Sequence, residues 1–287
     1  MVETLETLSP APGLTITRMG YGAMQLSGPN AFGPPHDRAE AVAVLREAVE
    51  LGVTHIDTAE AYGPTITNEI INEALHPYDG ITIATKVGAR RGANGEWSRS
   101  PSVDDLRAEV YENLDHLGVD VLDVVYLRYR SDEANAAGQD SIAPEFTALA
   151  ELRDRGLIRH LGLSGVSSVQ LTEAQSIAPV VAVQNLYNLA YREDDELVDR
   201  TAREGIVFAS FFPLGGFSPL QSDALSEVAI RLGAPRQQVA LAWLLQRSTT
   251  SIVIPGTSSR DHLRQNIAAV DLKLPVDALE QLDSIGR

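Results

Sequence analysis

Four residues of this sequence have types and spacing suited to chemistry: Asp57, Tyr62, Lys86 and Arg128. Asp57 ends the run THID, Lys86 ends ITIATK and Arg128 ends VLDVVYLR, so each places a charge at the exit of an apolar segment. Tyr62 follows Asp57 by five residues in the short stretch AEAYG and can point back over the same rim. The unperturbed phenol has a pKa of about 10, too high for efficient proton exchange near neutrality, and a neighbouring ammonium favours the phenolate. Tyr62 beside Lys86 is therefore a candidate general acid, with Lys86 tuning it and Asp57 keeping Lys86 charged and oriented. Such a donor suits a carbonyl receiving hydride, because the developing alkoxide must be protonated as it forms. Lysine is scarce here: of 23 basic residues only Lys86 and Lys273 are Lys. Its compact charge and movable pKa distinguish it from arginine, the default cation of this chain. The plainer alternative is that Lys86 and Asp57 form an ion pair that only closes the end of the fold.

Other chemistries are thinly supplied. The chain has no Cys, which removes thiolate metal ligands, cysteine nucleophiles and disulfides together. Its six His, at 36, 55, 76, 116, 160 and 262, show no HExxH or comparable spacing, so no metal site is expected. The 39 acidic against 23 basic residues give a formal charge of −16, a field that repels phosphate backbones and anionic lipid. Nucleic acid and membrane surfaces are thus not expected partners, and a small-molecule substrate is. The first residues are acidic where an export signal needs a basic segment, and the long uncharged stretch 206–222 carries two Pro and two Gly. A cytoplasmic protein is expected; no feature of the sequence speaks to oligomeric state.

These residues need a scaffold that gathers strand ends. Eight runs are apolar on consecutive residues, at 19–24, 54–59, 81–87, 121–128, 158–164, 180–185, 206–212 and 251–256, as in parallel strands covered on both faces. Between them lie segments of helical period, such as 39–51, with Ala41, Val42, Leu45 and Val49 on one stripe, and 104–117. Gly52, Gly118, Gly156, Gly205 and Gly233 follow such segments, where a helix end favours the left-handed conformation. Strand, helix and glycine repeat without a linker, which predicts one domain over 1–287. Eight repeats are what a (β/α)8 TIM barrel requires, an α/β fold whose active site lies at the C-terminal strand ends. The alternative, an open doubly wound sheet, would be favoured by GxGxxG after the first strand, but Gly20 and Gly22 are followed by Gln25.

At this point a resemblance emerges. GVTHIDTAEAYG, ITIATKVG, IRHLGLSGVS, VAVQNLYN and IPGTSSRDHLRQN occur in the order seen in the aldo-keto reductase superfamily, from about residue 14 to the C-terminus. The segments GPPHDRAEAVAVLREAVELG, TKVGARRG, VQNLYNLAYR and FFPLGGFSPLQS resemble its bacterial pyridoxal reductase branch. The resemblance implies NADPH-dependent reduction of an aldehyde or ketone, pyridoxal to pyridoxine above all. It assigns Asp57, Tyr62 and Lys86 to the catalytic places. It gives Ser164, Gly165 and Gln184 to the nicotinamide carboxamide and Phe211 to the stacking ring, with Leu214 and Gly216 over the pyrophosphate and Phe212 and Pro213 also against the cofactor. Gly22, Ala23 and Met24 fall beside the cofactor, and Gly256, Thr257, Ser258, His262, Arg264 and Asn266 in the segment for the adenosine phosphate.

Gly165 stands where an Asn is common and supplies no side chain, Phe211 stands where a Tyr is usual, and two further positions depart from the family pattern. Arg128 stands where a His is usual; it can only donate, so it either stabilises the alkoxide or simply pairs with a carboxylate. His262 stands where an Arg often reads the 2′-phosphate, which shifts that task to Arg264, Arg260, hydroxyls and a helix N-terminus. Phe32, Trp97 and Phe217, in loops 27–35, 88–101 and 217–222, offer aromatic walls for a flat substrate, or else pack as lids. Two rival activities stay open on sequence: a Schiff-base lyase using Lys86, and a nucleotide-binding protein of reductase fold with little turnover.

Overall fold

The structure, a computed structural model, describes residues 5–100, 102–129, 140–216 and 220–286. All eight expected strands are present: β1 (Tyr21–Gly22), β2 (His55–Asp57), β3 (Thr82–Val87), β4 (Leu122–Arg128), β5 (Ile158–Ser164), β6 (Val180–Leu186), β7 (Val207–Phe211) and β8 (Ser251–Val253). They pair in parallel in chain order. The sheet then closes on itself. Met19 bridges Val253, Gly20 N donates to Val253 O at 2.8 Å and Val253 N donates to Arg18 O at 2.9 Å. Closure decides between the two architectures in favour of the (β/α)8 barrel.

Ten α-helices lie among the described residues: α1 (Arg38–Glu50), α2 (Ile66–Leu75), α3 (Val103–Leu117), α4 (Ala143–Asp154), α5 (Ser168–Ile177), α6 (Asp195–Glu204), α7 (Asp223–Leu232), α8 (Arg236–Arg247), α9 (Arg260–Ile267) and α10 (Val276–Asp283). Their starts are chemically marked. Asp37, Ser102, Ser167, Ser222 and Ser259 each accept a backbone N–H of the first turn, and Ser167 with Gln170 forms a capping box. Gly118, Gly205 and Gly233 end α3, α6 and α7 in the left-handed region, as the glycine pattern predicted. The inward stripe of α1 is Ala41, Val42, Val44, Leu45 and Ala48, while Val49, expected on it, is only half-buried. The stripe is therefore carried by Val44 and Ala48, neighbours of Ala41 and Leu45 on the helix surface.

Two hairpins were not anticipated as such. One, Thr7–Ala11 with Leu14–Thr17, sends Leu14 and Ile16 into the barrel floor against Ala84, Val124, Tyr126 and Ile252. Its clue was the alternation of LTIT, a period of two at the very start. The other, Ala89–Arg91 with Trp97–Arg99, rises beyond the C-terminal end of β3. No helix among the described residues is long and apolar enough to cross a membrane.

Candidate active site

Parallel register sets the heights of the charged residues. Gly22 and Ala84 lie opposite Asp57, Lys86 lies opposite Tyr126, and Arg128 lies opposite Ser164, which in turn faces Gln184. The barrel's shear thus steps Asp57, Lys86 and Arg128 upward around the mouth. Lys86 Nζ donates to Asp57 Oδ1 at 2.5 Å and to Thr58 O at 2.9 Å, with both side chains buried. Gln184 Nε2 occupies the other carboxylate oxygen at 2.7 Å. A buried ion pair persists only when its remaining lone pairs and protons find partners, which these contacts supply.

Tyr62 is brought to this pair by a tight loop. Thr58 N donates to Ala84 O at 2.8 Å, Tyr62 N donates to Ala59 O at 3.0 Å, and Thr67 N at the start of α2 donates to Tyr62 O at 3.2 Å. The buried Tyr62 ring has its centroid 5.1 Å from Lys86 Nζ and meets Trp97 edge-on at 6.4 Å. Arg128 Cζ lies 4.5 Å from the Trp97 ring centroid. Burial holds the Arg128 guanidinium below its usual range, while Tyr62 and Asp57 act in the opposite direction, so it lies within their electrostatic reach. Asp57, Tyr62, Lys86 and Arg128 are therefore one cluster, although they come from three strands and a loop. A phenol beside a fixed ammonium and a guanidinium is arranged for proton exchange with an oxygen that gains negative charge.

A buried polar network behind the cluster was missed from sequence. Thr58 and Thr85, neighbours of Asp57 and Lys86 in the chain, point outward to the helices. Thr58 Oγ1 donates to Asn68 Oδ1 at 2.8 Å and Thr85 Oγ1 to Asn113 Oδ1 at 2.5 Å. Asn68 Nδ2 joins the two by donating to Asn113 Oδ1 at 3.1 Å, and to Glu60 Oε2 at 2.8 Å. Burial raises the Glu60 carboxyl, opposed by the hydrogen bonds of Thr65 and Asn68 and by the nearby His116. Beyond it, Glu109 accepts from Gly88 N at 2.6 Å and Arg90 Nε at 2.8 Å. The available clue was polar residues on the helix-facing side of otherwise apolar strands.

The residues assigned to a nicotinamide dinucleotide line the same end of the barrel. Gly22 and Gly256 face each other across the closing seam: a Cβ on Gly22 would lie 2.4 Å from Ile254 O, and one on Gly256 would lie 2.7 Å from Gly22 O. Ala23 is buried in the single turn that follows β1, and half-buried Met24 packs against the small cluster of Ala31, Ala59 and Tyr62. Ser164 and Gln184 are buried at their strand ends. Gly165 turns with φ +69°, its N–H donating to Asn185 Oδ1 at 2.9 Å, a support the sequence reading missed. Phe211 ends β7 half-buried and meets Phe212 edge-on at 5.4 Å; Gly216 abuts the Phe212 ring, and Pro213 and Leu214 form the turn between. Thr257 Oγ1 accepts from Ser259 N at 3.1 Å, Asn266 is buried, and Ser258 and His262 are exposed near the N-terminus of α9. Arg264 donates to Glu47 at 2.5 Å and to Asp261 at 3.1 Å, and Arg260 to Glu40 at 3.1 Å, so both guanidiniums are engaged by carboxylates. A bare backbone seam, an aromatic strand end and a helix N-terminus with hydroxyls fit an elongated dinucleotide. Phe32 and Trp97 reach the mouth through the contacts of Arg91; Phe217 lies outside the described residues, as do 130–139. No cluster that could hold a metal ion occurs among the described residues.

Residues 18–287 match the model of the Aldo/keto reductase family. The chain belongs to that family. This aldo/keto reductase is 54% identical over 274 residues to the pyridoxine 4-dehydrogenase of Escherichia coli, covering 95% of this chain and 96% of that one. It is 36% identical over 275 residues to an uncharacterized oxidoreductase of Schizosaccharomyces pombe, covering 96% and 88%. Among solved structures, a thermostable aldo-keto reductase crystallised with the inhibitor epalrestat superposes with a TM-score of 0.81 at 29% identity, covering 98% of this chain and 99% of that one. This aldo/keto reductase is accordingly an NAD(P)-dependent oxidoreductase acting on carbonyl and alcohol groups.

Proposed function

We propose that this aldo/keto reductase reduces an aldehyde to its alcohol with NADPH as hydride donor, Tyr62 supplying the proton and pyridoxal being the substrate. The carrying observation is the buried ammonium of Lys86, 5.1 Å from the Tyr62 ring and fixed by Asp57. When bound, the reduced nicotinamide supplies the hydride to the carbonyl carbon. The Tyr62 hydroxyl gives its proton to the carbonyl oxygen as the C=O bond becomes C–O–H. Lys86 offsets the phenolate left behind, and Asp57 keeps Lys86 charged. Arg128 donates a hydrogen bond to the same oxygen and stabilises its developing charge. Ser164 and Gln184 orient the carboxamide, and Phe211 offers its ring face to the nicotinamide. Phe32 and Trp97 bracket a flat ring such as that of pyridoxal. The pairing of Lys86 with Asp57 and Thr58 O weighs against a Schiff-base lyase, because a protonated amine has no lone pair for attack.

The test is NADPH oxidation across a panel of carbonyls that includes pyridoxal. Tyr62→Phe is expected to lower kcat by about 100-fold or more, as befits a general acid, with NADPH affinity by fluorescence quenching left nearly unchanged. Full turnover in Tyr62→Phe removes the proton-donor role; no oxidation by the unaltered enzyme with any carbonyl removes the activity.

A further inference from the structure

The hairpin Ala89–Arg91/Trp97–Arg99 and the segment 27–33 meet beside Tyr62, where Gly95 lies close to the Phe32 ring, Trp97 packs against the cluster of Ala31, Ala59 and Tyr62, and the Arg91 side chain supplies hydrogen bonds across the joint. Arg91 Nε donates to Gly95 O at 2.9 Å within the hairpin, while its two terminal nitrogens donate to Ala31 O at 3.2 Å and Asn30 O at 3.0 Å on the opposite segment. The same guanidinium lies 4.2 Å from the Trp97 ring centroid and 5.3 Å from that of Phe32. Ala31 O also accepts from Gly63 N at 3.1 Å, and Gly33 N donates to Gly63 O at 3.1 Å, which ties this segment to the residue after Tyr62. Asn30 and Ala31 take φ of +58° and +56°, a conformation that residues with a Cβ adopt only when neighbours hold it. The hairpin itself has three residues per strand, too few to be stable alone.

We propose that Arg91 is a positioning residue that sets substrate choice: it pins Trp97 and Phe32 into a fixed slot beside Tyr62, which favours flat aromatic aldehydes over short aliphatic ones. This rests on the reductase reading of the site. The planar fork is essential to the arrangement, since three carbonyls in different directions and two rings are met at once. Without it, Trp97 loses one of the guanidiniums packed on its ring, Arg128 being the other, and Phe32 loses its cation, so a flat substrate meets looser walls while proton delivery from Tyr62 is untouched.

The test compares Arg91→Ala and Arg91→Lys with the unaltered enzyme, using pyridoxal, pyridine-4-carboxaldehyde and propanal. In Arg91→Ala, KM for the two aromatic aldehydes should rise about tenfold or more, an effect of misplaced walls, with kcat for propanal and NADPH affinity within about twofold. Arg91→Lys, which keeps the cation over the rings but not the fork, should lie between. Acrylamide quenching gives an independent readout: Trp243 is only 1% exposed, so new quenching in Arg91→Ala reports Trp97. Equal KM values in all three proteins with unchanged quenching would overturn the proposal, as would a uniform loss of kcat and NADPH binding in both variants. Should the unaltered enzyme reduce no carbonyl, the reductase reading fails separately, and unchanged acrylamide quenching still overturns the clamp.

Discussion

Gln184 donates its side-chain amide to Asp57 at 2.7 Å across the barrel interior, completing the carboxylate that Lys86 engages from the other side. Both residues are buried, so the second oxygen of Asp57 has no recourse to solvent. Gln184→Leu should therefore cost about 1–3 kcal/mol, the penalty for an unpaired buried acceptor, measured by urea unfolding. Gln184→Glu should cost more at neutral pH, because it sets a second carboxylate against the first, and its deficit should shrink as the pH is lowered.

Breaking the Lys86–Asp57 pair from one side strands a buried charge. Lys86→Met is expected to lose about 3–5 kcal/mol of stability. Adding Asp57→Asn should recover a large part of that loss, because the stranded carboxylate is gone, while carbonyl reduction stays abolished. A double-mutant cycle in urea checks this, and simple additivity of the two losses would show that the ions do not depend on each other.

His55, two residues before Asp57 on β2, is fully buried with neither ring nitrogen hydrogen-bonded. Burial is the main cause that lowers its pKa from 6.5 to about 4, with Asp57 opposing and Lys86 reinforcing the shift. Between those values the unfolded chain binds a proton that the folded chain refuses, so stability rises with pH through the window. It is fully present above about pH 6.5 and falls as acid is added toward pH 4, by an amount on the order of 3 kcal/mol. In His55→Leu the slope of unfolding free energy against pH over this interval should flatten, as followed by urea titration at several pH values.

Gly22 has no room for a side chain at the barrel seam, since an added Cβ would meet Ile254 O at 2.4 Å. Gly22→Ala is expected to part β1 from the segment after β8, with a stability loss of about 1–3 kcal/mol. NADPH affinity should weaken in parallel. Calorimetry and fluorescence titration on the same sample give the two readings.

The strand runs were legible because parallel barrel strands are covered on both faces, so VLDVVYLR and IRHLGLS announce themselves without alternation. Asp57, Lys86 and Arg128 were equally plain, each being a charge at the end of such a run. Asn68, Asn113 and Glu109 were not, because a polar residue on a helix looks solvent-facing until the partner helix or strand is known. Arg91 reads in the sequence, with Arg90, as a positive spot that draws in an anion or is simply solvated, and its bridging contacts were hidden for a related reason: the hairpin is only three residues per strand, and its order depends on carbonyls about 60 residues away. Arg264 and Arg260 looked free for a phosphate, and only the fold reveals Glu47 and Glu40 of α1 beside them. Local pattern carries the elements and the near half of the site; pairing between distant segments carries the remainder.

The first barrel strand finds its second neighbour only in the last one, Met19 against Val253. A nascent chain leaving the ribosome thus carries two raw sheet edges until β8 has been made, and raw edges invite pairing with other chains. Fragments ending before Ser251 should be prone to aggregate, and the growing polypeptide has reason to rely on chaperones until its final strand is delivered.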